Sequence, residues 1–141
     1  MSASTYAVRA GVYAALAAGA ALAGRVGTRI YHDLAPRDAA YPFVTFAQHG
    51  DALPRDTLAN GEAWVDYPWQ VKAIATTRDA AELAYDAAHV AMNTAGAVAA
   101  SGLVVVGVQR TSVFTVTETE PSAGVVLHHV GGVYRILARE G

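Results

Sequence analysis

The side chains of this sequence that could do chemistry are few and badly placed for it. Five histidines are present. His128 and His129 are adjacent in a segment that reads as a strand, so their imidazoles point to opposite faces and cannot share one metal ion. His32 and His49 fall on the two strands of an expected first hairpin, where they could approach each other. No carboxylate lies at ligand spacing with them, however, and two ligands do not make a site. Asp51 and Asp56, with Arg55 beside them in a loop, read as a solvated turn and not as a general acid and base. No GxxxxGK[ST], GxGxxG, HExxH or GxSxG motif occurs, and Gly102 to Gly107 enters a strand without the helix that a phosphate cradle needs. The absence of cysteine excludes thiolate catalysis, disulfides, zinc fingers and iron–sulfur clusters together. The expectation is a protein with no enzymatic activity, no cofactor and no metal.

The elements that must position these side chains fit one domain spanning residues 1–141. The composition is 53% hydrophobic and only 16% charged, too apolar for disorder. So little charge suits a chain covered by other subunits, and an alanine-rich composition gives the same look. The net charge of −2 and the scattering of ten basic residues argue against tight, charge-driven sequestration of nucleic acid.

Ala10 to Gly24 is the most apolar stretch, but it is mostly Ala and Gly and too short to span a bilayer. It reads as a helix capped by Ser4 or Thr5, with Tyr6, Val12, Tyr13 and Leu16 on one side. Gly24 and Gly27 punctuate the path to a first strand at Arg29–Leu34. A turn at Ala35–Ala40 leads to a second strand at Phe43–His49 with Pro42 at its mouth. Gly50–Gly61, with Pro54, Arg55 and Asp56, reads as a long exposed loop and a candidate contact site. Glu62–Ala75 alternates most clearly, placing Val65, Tyr67, Trp69, Val71, Ala73 and Ala75 on one face. Pro68 in the outward set argues for an edge position or a bulge.

Asp79 and Glu82 read as a capping box opening a helix to Val98, whose core stripe is Leu83, Ala84, Ala87, Val90, Ala91, Thr94 and Val98. Tyr85 and Met92 then lie on a third side and are candidate subunit contacts. Leu103–Glu118 and Val125–Arg139 close the chain as two strands joined by a turn at Glu120–Gly124, with a bulge expected at Gly131 and Gly132. The fold class is α+β: a mostly antiparallel sheet of about five strands with two main helices on one face, in the order α-β-β-β-α-β-β.

Taken in order, the chain resembles the tail-terminator family of long-tailed bacteriophages, also called tail completion or head-tail joining proteins. The resemblance runs over nearly the full length. It rests on the Ala-rich helix leading into Gly27-Thr28-Arg29-Ile30-Tyr31, on Leu34-Ala35-Pro36, on Tyr41-Pro42-Phe43-Val44-Thr45-Phe46, and on Tyr134-Arg135-Ile136 in the last strand.

The resemblance implies a structural virion protein, assembled in the host cytoplasm, that forms a six-subunit ring at the head-proximal end of the tail tube. Its implied partners are copies of itself, the tail tube protein and the head-tail connector or stopper. Duplex DNA would pass through the ring without sequence-specific binding, and no membrane is involved. The loop residues Pro54, Arg55 and Asp56 and the turn residue Glu120 are candidate docking segments, with Pro68, Tyr85 and Met92 as candidate subunit contacts. The alternative readings are another neck protein, either a stopper or a minor capsid component, or a small dimeric α+β module that binds a ligand.

Overall fold

The alanine-rich start folds as two helices, not one: α1 (Ser2–Ala18) and α2 (Ala20–Val26) meet at an 80° bend at Gly19. Ser4 and Thr5 therefore lie inside α1 instead of capping it, and Gly24 lies inside α2. Gly27, at φ 60°, ends α2 with its N–H on the Ala23 carbonyl. The computed structural model describes residues 2–56, 63–120 and 124–140. Among the described residues no single helix is long and apolar enough to cross a membrane.

The remaining elements are β1 (Ile30–His32), β2 (Phe43–Gln48), β3 (Leu53–Asp56), β4 (Ala63–Ala75), α3 (Arg78–Asn93), β5 (Leu103–Glu120) and β6 (Val125–Glu140). They form the expected α+β architecture, with the sheet in the order β1-β2-β4-β6-β5 and β3 pairing β4 beside that path. Every pair is antiparallel except β1 with β2.

That exception corrects the first hairpin. Ile30, Tyr31 and His32 run parallel to Val44, Thr45 and Phe46, because the link from Asp33 to Pro42 crosses the sheet instead of turning at its end. The link places Ala35 and Ala39 on a small second core of Phe43, Ile74 and Leu127, on the face away from the helices. It ends in a cis Tyr41–Pro42 bond. His32 and His49 consequently do not face each other across a hairpin: His32 pairs with Phe46, and the His49 N–H bonds the Pro68 carbonyl at 2.9 Å.

The long loop is also corrected in part. Leu53–Asp56 pairs with Asp66–Ala63 as a short strand, so Pro54, Arg55 and Asp56 sit in a ladder; residues 57–62 lie outside the described residues. The expected alternation of β4 holds, with Tyr67, Trp69, Val71, Ala73 and Ala75 all buried under the helices. β4 is central, however, and Pro68 pairs in register with Arg135 without a bulge. The proline is tolerated because it lies between the β3-paired stretch, ending at Asp66, and the β2-paired stretch, beginning at Trp69.

Thr77, not Asp79, caps α3, its hydroxyl accepting from the Ala80 N–H at 3.2 Å. The helix stops at Asn93 and the chain reaches Val98, still buried, in irregular form. The bulges fall on β5, at Val105/Gly107 and Arg110/Ser112, while Gly131 and Gly132 pair regularly in β6. Gly132 instead answers a close approach. A Cβ there would collide with the Tyr85 hydroxyl and lie 3.0 Å from the Ser112 carbonyl oxygen, so only glycine leaves room for α3 to sit down on the sheet.

Candidate functional site

Tyr85 and Met92, expected at a subunit contact, are core residues at 2% and 1% exposure. The cause is that α3 packs on two partners at once. Its alanines Ala81, Ala84, Ala88 and Ala91 permit close approach, while the longer Tyr85 and Met92, on a neighbouring arc of the helix, belong to the same buried core. The outward face is the one carrying Leu83 and Val90, both exposed although the apolar pattern assigned them to the core. Alanine is what misled the pattern, since it carries little hydropathy yet marks the tightest contacts.

Tyr85 belongs to a polar chain inserted between α3 and the sheet. Arg110 Nη1 donates to the Tyr85 hydroxyl at 3.3 Å, the Tyr85 and Tyr134 hydroxyls are hydrogen-bonded at 2.8 Å, and the Tyr134 hydroxyl lies 2.8 Å from His89 Nδ1. Arg110 can only donate. Every group is therefore satisfied when Tyr85 donates to Tyr134 and Tyr134 donates to a neutral His89 with its proton on Nε2. Burial, and then the bond with Tyr85, hold the Tyr134 hydroxyl above its ordinary pKa. Burial and the nearby Arg110 lower that of His89, with Asp86 opposing. These bonds join α3 to β5 and β6 and so fix the helix on the sheet.

Other ionisable residues pair across the sheet. Asp66, buried on β4, accepts from Arg135 Nε at 2.7 Å across the β4–β6 ladder. His129 Nε2 lies 2.7 Å from Glu118 on the neighbouring strand. His128 instead has Thr117 Oγ1 at 3.4 Å, as expected for adjacent residues on a strand. No group of three histidine, cysteine or acidic side chains able to hold a metal ion occurs among the described residues.

Several large apolar side chains remain exposed. β5 ends the sheet, with β6 as its ladder partner, and presents Val104, Val106, Val113 and Val116 to solvent. Tyr6 and Tyr13 project from α1, and Leu34 from the β1–β2 link. Of the candidate docking residues, Pro54, Arg55 and Asp56 lie on β3, which pairs with β4 at residues 63–66, just before Pro68 on the same strand, whereas Glu120 ends β5 at the tip of the β5–β6 hairpin and pairs with Val125. Sequence reading missed the β5 edge, although its run of Val and Thr residues with few charges was visible.

The sequence matches the tail completion protein gp17 family over residues 10–132. No curated protein matches. Among solved structures, the fold is similar to a chain of the virion of a native gene transfer agent particle, with a TM-score of 0.73, 24% identity and 98% of both chains covered. A match over most of the chain assigns it to the tail completion protein gp17 family, as a structural protein of the virion tail.

Proposed function

We propose that this protein closes into a ring, six subunits in all, at the head-proximal end of the tail tube, where it stops tube growth and joins the tail to the head connector. The observation that carries the reading is the open edge of β5. From Ser112 to Thr119 it is free of bulges, carries Glu118 as its one charge and exposes Val113 and Val116. Natural sheets blunt such edges with charge, proline or bulges, so an unblunted one fits a strand that is covered once assembled. The opposite side of the sheet ends in the short β1 and β3, so the two sides differ, as head-to-tail ring closure requires.

The open sheet with helices on one face supports a terminator over a barrel-built stopper. The low net charge suits a lumen through which duplex DNA slides without being held. The test adds purified protein to growing tail tubes of the cognate particle and images them by negative stain. Rings on one tube end, with growth arrested, are expected; tubes that elongate unchanged and carry no end density refute the reading.

A further inference from the structure

Two exposed helix stripes match each other within this one chain. On α1, Tyr6, Arg9 and Tyr13 lie at i, i+3 and i+7, with both tyrosines exposed and the Arg9 guanidinium 4.7 Å over the Tyr6 ring. On α3, Leu83, Asp86 and Val90 repeat the spacing, with all three exposed. Each stripe is apolar, charged, apolar, and the charges are opposite. Arg9 is the sole charge of α1. On α3, Arg78 is neutralised by Glu82 at 2.7 Å, which leaves Asp79 and Asp86 on the outward side. The α1 stripe keeps both tyrosines exposed although the Tyr13 ring lies 6.0 Å from that of Phe46 on β2, and Leu83, Asp86 and Val90 all face outward from α3.

We propose that α1 of one copy docks on α3 of the next, Arg9 pairing with Asp86 between the Tyr6/Tyr13 and Leu83/Val90 anchors. The proposal rests on the ring reading above and names its subunit contact. Laid parallel, the stripes align residue for residue. Laid antiparallel, the two charges fall about one helical rise, roughly 1.5 Å, out of line, well within the reach of an arginine. A tyrosine and arginine surface is what interfaces use to anchor, and an acidic, aliphatic surface is its complement. Because the patches differ, the contact is heterologous and propagates around a ring instead of stopping at a dimer.

The test is charge exchange, read by mass photometry and negative stain with tail tube protein present, each variant first checked for fold by circular dichroism. Arg9→Asp and Asp86→Arg each place like charges across every contact and are expected to raise the concentration needed for rings about tenfold or more. The Arg9→Asp/Asp86→Arg double variant restores rings. So does a mixture of the two single variants, since alternating copies meet only opposite charges and six is an even number. An independent pair one turn along is Tyr13→Lys with Val90→Glu for the parallel arrangement and Tyr13→Lys with Leu83→Glu for the antiparallel one, and rings restored by one of these pairs and not the other give the orientation. Rings from each single variant at the wild-type concentration overturn the contact and leave the ring reading standing. Single variants that fold but are rescued neither by mixing nor by the double exchange overturn the pairing. A wild-type protein that never forms rings refutes both.

Discussion

Replacing Gly132 by alanine isolates the contact that seats α3 on the sheet. The added methyl would meet the Tyr85 hydroxyl inside contact distance, with Ser112 O at 3.0 Å and Arg110 Cδ at 3.1 Å, where ordinary contacts begin at 3.4 Å. Arg110 can swing away, but the β5 carbonyl and a hydroxyl held by Tyr134 cannot. Overpacking of this kind costs about 2–3 kcal/mol. In a chain of this length that lowers the melting temperature by roughly 6–9 °C. Tyr85→Phe removes the hydroxyl, leaves Tyr134 bonded to His89, and by itself costs about 1–2 kcal/mol. In that background Gly132→Ala meets chiefly the Ser112 carbonyl and should cost only about 1 kcal/mol. Urea unfolding of the four proteins then gives a favourable coupling of about 1–2 kcal/mol. Additive costs, within about 0.5 kcal/mol, would show that the Tyr85 hydroxyl is not what Gly132 accommodates.

Three further outcomes follow from the same coordinates. Met92→Ala should destabilise by about 2–4 kcal/mol, because the side chain is fully buried, whereas Val90→Ala on the outward face should cost under about 1 kcal/mol; equal costs in urea unfolding would reverse the face assignment of α3. Stability should fall as pH drops below the ordinary histidine value of 6.5. His89 is held below that value when folded, so the unfolded chain takes up the proton first, and the loss continues down to the folded-state value; His89→Gln should flatten this dependence in thermal melts across pH 4.5–7.5, and an unchanged slope would remove His89 as its source. Val113→Lys with Val116→Lys should leave the subunit's melting temperature within a few degrees while abolishing rings in negative stain with tail tube protein present; retained rings would clear the β5 edge of a part in ring closure.

The fold was legible where one element faced one partner. β4 alternates because one of its faces lies under the helices, and the β5–β6 hairpin is marked by Val and Thr runs around a turn. Legibility failed where an element faced two partners or where pairing was set at a distance. The α3 stripe was rotated because alanine contacts on one flank weigh little in hydropathy, so Tyr85 and Met92 looked peripheral and Leu83 and Val90 looked central. The parallel β1–β2 pair was hidden because a link long enough to cross the sheet looks, locally, like a generous turn. The exposed apolar surface was the least legible part, since neither an edge strand nor an outward stripe is defined until its neighbours are placed.

By itself the sequence determined the class of fold and the family. Composition, periodicity and short motifs are local quantities that survive without coordinates. Only the tertiary structure decided which side of α3 is core, which strand is the open edge, why residue 132 must be glycine, and that Tyr6, Tyr13, Leu83 and Val90 stay exposed. Each of these depends on which elements exclude water from which faces, and burial is a property of packed neighbours, not of any stretch of chain read alone.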